Sequence, residues 1–293
     1  MREIIILNCY EIETIGVLIT VFTEMCGAFI RKGYKLKVIT NINELHNNSI
    51  ILMGNTFNHK NPSELLNKYA PEAIYIGWYW QDINVDTIKY FIHTYENMLD
   101  ITYSKQRYPE LLKLRETKYN CPLMLRSNED SEKIGSFHRS DKLDYCYMGS
   151  PYSLHLKPSN NFRGIFHLVY SPDDYISYEK RKKIYLSSIF SLGLQSIENT
   201  QSKHVSQRIY EALTYGCIVL TNSIPACEQT NNIAIYVSSK EDLEDKMVYY
   251  KNNPQLILKK QLEGYEFSKK YGTNEYSIQQ FINIIENKMK LDV

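Results

Sequence analysis

The sequence predicts an α/β protein of two Rossmann-like halves with a ligand cleft between them. Two observations carry that reading: apolar runs of strand length alternate with helical patterns, and a polar interruption mid-chain is followed by a second series of the same kind. A chain of 293 residues is long enough for two domains of ordinary size. In the first half, Ile4–Asn8 is a continuous apolar run, Val17–Arg31 carries apolar residues at helical spacing, Gly33 is a helix stop and Leu36–Thr40 is the next strand. Ile50–Met53, a helix begun by Pro62, Ala73–Gly77, a helix near Asp86–Met98, a short strand at Ile101–Tyr103 and a helix from Pro109 complete the series. Uninterrupted strands separated by helices belong to a parallel sheet covered on both faces.

Ser127 to Lys142, "SNEDSEKIGSFHRSDK", holds little apolar material and reads as the connection. The expected domains are residues 1–140, residues 141–272, and a closing helix over 273–293 that packs back on the first domain. The second series runs through strands at Tyr145–Met148 and Gly164–Val169, a helix through Tyr178–Phe190, strands at Leu192–Gln195, Ile218–Thr221 and Ile235–Val237, and a helical tail from Pro254 with Gly264 and Gly272 as breaks. In two such halves the strand C-termini face one another, and a ligand is expected there.

The bulk properties bound the function. A hydrophobic fraction of 43% and a charged fraction of 23% are those of a soluble globular protein, and no apolar run reaches membrane-spanning length. The N-terminal residues do not match a secretory signal, and the six cysteines lack paired spacing, so the expected setting is reducing and cytoplasmic. Neither cysteines nor histidines cluster as a metal site needs, so no metal is expected. A net charge of +1 gives no global attraction to nucleic acid; the basic run Tyr178–Lys183 reads as a solvated helix start and Arg31–Lys37 as a helix end leading into a strand, with a DNA-facing patch as the alternative for either. The 25 tyrosines, with abundant Asn, Ile and Lys, indicate an AT-rich coding genome.

The most informative stretch is "VSQRIYEALTYGCIVLTNS", Val205 to Ser223. A helix from about Val205 to Tyr215 gathers Val205, Ile209, Ala212 and Leu213 into an apolar stripe, and Gly216 ends it before an apolar strand. The helix begins at the sheet's carboxyl edge, where its N–H groups and dipole favour an anion. Arg208, one turn in, suits a phosphate, and Glu211, one turn further, suits vicinal ribose hydroxyls. An Arg–Glu pair three residues apart also suits a solvated helix face, so these two residues alone leave both readings open.

The run "RIYEALTYGCIVLTNSIPACEQ", with "AIYVSSKEDLEDKMVYYKNNPQLILKKQLEGYEFSKKYGTNEYSIQQFINII", resembles the C-terminal half of GT-B glycosyltransferases, particularly the group that includes spore-maturation proteins. The likeness covers about residues 145–285, and the first half matches in architecture alone. It implies that Glu211 binds the donor ribose and Arg208 faces the donor pyrophosphate. Many retaining relatives carry a glutamate eight positions before the ribose-binding one; Lys203 stands there, which departs from the standard retaining arrangement. "IFSLGLQSIENTQSKHVSQRIYEALTYGCIVL" also resembles the donor segment of alpha-1,3-fucosyltransferases, which implies cleft roles for Glu198 and Asn199. In GT-B proteins the loop after the first strand of the second domain lies beside the donor phosphates; here it offers Ser150, Lys157 and Arg163, which equally suit a solvated loop.

On the acceptor side, Glu11, Glu13 and Asp82 are the candidate catalytic bases, and the resemblance implies that Gly16, near the following helix start, lies in a loop facing the acceptor. Trp78 and Trp80 offer flat platforms for sugar or base rings, and core packing for at least two residues of Trp78–Trp80 is the alternative. The function so implied moves a sugar from a UDP- or GDP-sugar to a hydroxyl of a glycan, a protein or hydroxymethylated pyrimidine in DNA, since AT-rich viral genomes encode such enzymes. If the source is viral, the compartment is the host-cell cytoplasm. The resemblance implies a nucleotide-sugar co-substrate with no resident cofactor, and helix dipoles and cations that stabilise the departing diphosphate without a metal. The alternatives are a nucleotide-sugar 2-epimerase-like isomerase, which needs no acceptor, and a non-catalytic sugar-nucleotide or glycan-binding module.

Overall fold

The computed structural model describes residues 3–7, 27, 29–39, 42–54, 74–79, 98–102, 140, 142–170, 174, 176–197, 200, 205–273, 275–276, 278–280 and 282–283. The chain divides into two compact units, Met1–Met124 with Ser277–Val293, and Leu125–Tyr276. Each unit has its own five-stranded sheet, and every strand pair in both is parallel. The α/β class expected from the apolar runs is therefore the class observed.

The first unit contains β1 (Glu3–Leu7), β2 (Leu36–Ile39), β3 (Ser49–Gly54), β4 (Ile74–Tyr79) and β5 (Met98–Thr102), in the order β2-β1-β3-β4-β5. Residues 29–31 are helical, and Gly33 follows at φ 84°, a left-handed turn that a side chain resists. The strand order reverses between β1 and β3, the place where open parallel sheets form a crevice at their carboxyl edge.

The second unit contains β6 (Leu143–Gly149), β7 (Gly164–Leu168), β8 (Ser188–Leu192), β9 (Ile218–Thr221) and β10 (Ile235–Tyr236), in the order β10-β9-β8-β6-β7. A 3-10 helix, Pro151–Leu156, follows β6. The described α-helices of this unit are α1 (Tyr178–Ser187), α2 (Gln207–Thr214), α3 (Ile224–Gln229), α4 (Lys240–Lys251) and α5 (Pro254–Tyr271). Tyr145, Tyr147, Phe190, Leu192, Ile218 and Leu220 cover one sheet face and pack on Leu243 and Met247 of α4. Val219 alternates to the other face, where a Cβ on Gly193 would meet both its Cγ1 and Ile209 of α2. The order reverses here between β6 and β8, so this unit's crevice lies beyond Gly149 and Gly193.

Two local expectations change. The helix expected through Phe190 ends at Ser187, and the strand expected at Leu192–Gln195 is Ser188–Leu192. The Ser187 and Ser188 hydroxyls donate back to the Lys183 and Ile184 carbonyls, closing the helix, while Ile189 and Phe190 have the side-chain shapes that strands favour. Gly264 does not break the tail helix: α5 runs through it without interruption, and a Cβ there would lie 2.9 Å from Leu213 Cδ2. That glycine admits close packing of α5 on α2.

Candidate functional site

The site of the second unit is built on the carboxyl edge, at the reversal between β6 and β8. Tyr147 and Gly149 lie two residues apart on β6 and so share a face. The Arg208 guanidinium, from the first turn of α2, lies 5.4 Å from the Tyr147 ring centroid and against the Gly149 backbone. A Cβ at Gly149 would be 1.8 Å from Arg208 Nη1, so this position has room for glycine and the arginine together, but not for a larger residue. Arg208 Nε donates to Ser206 Oγ at 3.2 Å. Its Nη1 is buried and, among the described residues, has no hydrogen-bond partner. A buried guanidinium N–H left unbonded is costly, and such a group is a strong donor for an anion that reaches it.

Tyr147 is held in turn. Its hydroxyl donates to the Ser150 carbonyl at 2.6 Å, and its ring stacks on Phe166 of β7 with centroids 4.4 Å apart. Lys157 Nζ lies 5.7 Å from the Phe166 centroid. Each ring of the stack thus has a cation beside it, Arg208 at Tyr147 and Lys157 at Phe166, drawn by the ring's negative face. The residues expected at the donor phosphates, Ser150, Lys157 and Arg208, are joined through Tyr147 and Phe166, a connection that the sequence reading missed. The signal available was Tyr147 at the same strand parity as Gly149.

Arg163 is not part of this group. Its N–H donates to Asp144 Oδ2 at 2.8 Å, beside the start of β6 and therefore at the amino edge of the sheet. The gap from Asp144 to Gly149 is five strand residues, about 16 Å. A phosphate role for Arg163 in this crevice is set aside for that reason.

Glu211 is 5% exposed in the middle of α2, and its Oε1 accepts from Arg181 Nη2 of α1 at 3.3 Å. The partner of Glu211 is therefore Arg181, in a bridge between α1 and α2. Tyr185 lies next to this bridge, stacked on Tyr215 with ring centroids 5.7 Å apart, and burial, followed by the Glu211 charge, holds its phenol well above its ordinary range. The sequence marks Arg181 only as part of a basic, solvated helix start; the packing of α1 on the sheet brings it to Glu211. α2 itself begins after Ser206, whose side chain makes no cap bond to its backbone, and Gly216 ends it at φ 70°.

A pocket of about 290 Å³ opens beyond the same edge, lined by Tyr152, His155, Gln195, Ser196, Ile197 and Asn222. Asn222 pins the loop after β8, its Oδ1 accepting from Gln195 N at 2.8 Å and its Nδ2 donating to Gln195 O at 2.9 Å. Neither Gln195 nor Asn222 was singled out in the sequence; the available signal was a glutamine placed directly after a buried apolar run. Trp78 lies in β4, but its side chain falls outside the described residues, as do Glu11, Glu13, Gly16, Trp80, Asp82, Glu198, Asn199 and Lys203. Among the described residues no helix is long and apolar enough to cross a membrane.

Comparison with known proteins agrees with this architecture. Residues 140–283, just under half of the chain, match the model of a family described as glycosyl transferase-like. No curated protein matches. Among solved structures, an alpha-glucosyltransferase in complex with UDP and a 13-mer DNA containing an HMU base superposes with a TM-score of 0.60 at 13% identity, over 98% of this chain and 99% of that one. The chain therefore has the GT-B fold, and its residues 140–283, which carry Gly149, Arg208 and Glu211, are glycosyl transferase-like in sequence.

Proposed function

We propose that the protein is a glycosyltransferase that takes a sugar from a nucleotide-sugar and places it on a hydroxyl acceptor. The observation that carries this is the buried, unbonded Nη1 of Arg208, held over Gly149 at the strand-order reversal of a glycosyl transferase-like unit. Arg208 grips the donor diphosphate, with Lys157 and the N–H groups at the start of α2 adding positive potential as the diphosphate departs. Glu211, oriented by Arg181, accepts from the ribose hydroxyls. Ser150 offers its N–H and hydroxyl to the phosphates. Within the first unit, Glu11, Glu13 and Asp82 are proposed as bases for the acceptor hydroxyl, and Trp78, Trp80 and Gly16 as acceptor contacts. Glu198 and Asn199, which precede α2 in the sequence, are proposed as further donor contacts.

UDP is the favoured donor nucleotide and hydroxymethylated pyrimidine in DNA the favoured acceptor, because the structurally similar alpha-glucosyltransferase holds UDP and a DNA with an HMU base. A glycan or protein acceptor is the second reading. The test incubates purified protein with UDP- and GDP-sugars, with and without hydroxymethylated DNA and glycan acceptors, and follows donor consumption and product mass. Acceptor-dependent transfer supports the proposal; sugar-nucleotide turnover without acceptor points to the isomerase, and nucleotide binding without turnover to the binding module. Arg208→Ala is expected to weaken UDP more than uridine, and equal losses on the two would remove Arg208 from the diphosphate site.

A further inference from the structure

The most exceptional side chain near the edge is Gln195. It is 5% exposed, and among the described residues neither its Oε1 nor its Nε2 has a hydrogen-bond partner. A carboxamide buried without partners is unfavourable, and natural proteins keep few of them. Its backbone is clamped on both sides by Asn222, so the residue stands on a rigid base, and it is one of the residues that line the pocket.

The pocket's size and chemistry narrow what it takes. Its 290 Å³ is at the small end of ligand pockets, a size for one ring with its hydroxyls. A carboxamide offers an acceptor and a donor side by side, the complement of two neighbouring hydroxyls, each of which gives and receives one bond. Tyr152 and Ile197, 74% and 76% exposed, supply the apolar surface that the C–H face of a sugar ring prefers.

The order of the groups narrows it further. Glu211 lies between α1 and α2, Arg208 is one turn nearer the start of α2 and touches Gly149, and Ser150 leads at once into the 3-10 helix that carries Tyr152 and His155. A nucleotide-sugar has the same order: ribose, diphosphate, sugar. A base would extend from the ribose end, away from the pocket. We propose that this pocket holds the donor's sugar ring and that Gln195 selects it by bonding a vicinal pair of its hydroxyls. This rests on the nucleotide-sugar reading above. It assigns sugar selection to a residue outside α2.

The test measures binding of UDP, UDP-glucose, UDP-galactose, GDP and GDP-mannose by calorimetry to the wild type and to Gln195→Leu and Gln195→Met, with thermal melting of each variant. Both variants replace an unbonded polar group by an apolar one of similar size, so they are expected to melt no lower than wild type. The proposal expects the wild type to bind one sugar nucleotide more tightly than its parent diphosphate. In both variants that advantage falls about tenfold or more, while the parent diphosphate binds as before. An equal loss for diphosphate and sugar nucleotide, an unchanged advantage, or a wild type with no sugar preference would overturn it. Failure of the wild type to bind either UDP or GDP would instead overturn the nucleotide-sugar reading beneath it.

Discussion

Replacing Glu211 tests the donor grip and the fold together, and the structure separates the two effects. Its carboxylate is 7% exposed and bridges to an Arg181 side chain that is 22% exposed. Removing one partner of a buried ion pair costs about 3–5 kcal/mol, and the remaining exposure of Arg181 places Glu211→Ala at the low end, about 3 kcal/mol. For a unit of this size that lowers Tm by roughly 6–12 °C. Glu211→Gln keeps an acceptor for Arg181 and is expected to lose less stability, about 1–2 kcal/mol, since it weakens one charged hydrogen bond without deleting it. Loss of the charged bonds to ribose should cost about 1.5–3 kcal/mol in UDP binding, roughly tenfold to 150-fold in Kd. The assay is calorimetry of UDP and of pyrophosphate, which has no ribose, on Glu211→Gln and on Arg181→Met, beside their melting curves. Glu211→Gln should lose UDP affinity and keep pyrophosphate affinity, while Arg181→Met should melt lower and keep UDP binding within a few-fold of wild type. A Glu211→Gln protein that melts lower but binds UDP as the wild type does would reduce Glu211 to a structural ion pair.

Gly149→Ala puts a Cβ 1.8 Å from Arg208 Nη1, so the guanidinium must leave its place; its UDP affinity, measured by calorimetry, should fall to about that of Arg208→Ala. Gly216→Ala forces a side chain into the left-handed conformation at φ 70°, costing about 1–2 kcal/mol and a few degrees of Tm without changing UDP affinity at temperatures where the variant is folded. Burial, with Cys217 next in effect, pushes the Cys146 thiol well above its ordinary 9.0, and burial does the same to the Tyr185 phenol above 10.0. Both groups hold their protons in the folded chain after the unfolded chain has released them. Their contribution is therefore full below pH 9 and declines as the pH rises, by about 1.4 kcal/mol per pH unit for Cys146 and as much again for Tyr185 above pH 10. Denaturant midpoints between pH 8 and 11 should show this decline, and Cys146→Ala should remove its first part; an unchanged slope would mean that the thiol titrates alike in both states.

The comparison of sequence and structure turns on particular residues. The stripe Val205, Ile209, Ala212 and Leu213 is buried as its spacing indicated, and Gly216 has the positive φ that the helix stop required. Continuous apolar runs became parallel strands in both units, because only a sheet covered on both faces can bury them. The helix-to-strand junction at Ser187–Ser188 was misplaced because periodicity cannot see a serine hydroxyl bonding back to its own helix. Gly264 was misread for a related reason: a glycine that admits a neighbouring helix looks, in one dimension, like one that ends its own.

For the site, local spacing singled out Arg208 and Glu211, since a helix begun at a sheet edge fixes which residues stand in its first turns. The partners of those residues were decided by tertiary structure alone. Arg181 reaches Glu211 from thirty residues away, Tyr147 and Phe166 meet because β6 and β7 are neighbours, and Asn222 holds Gln195 because β9 lies beside β8. Arg163 left the site because it precedes β7, at the edge opposite the end of β6. By itself the sequence determined the fold class and the helix that presents the two charges, because periodicity, glycine placement and helix position are local. Which charges pair, which cation is left with an unbonded N–H and which polar side chain faces a pocket depend on strand order and on burial, and those exist only once the sheet has formed.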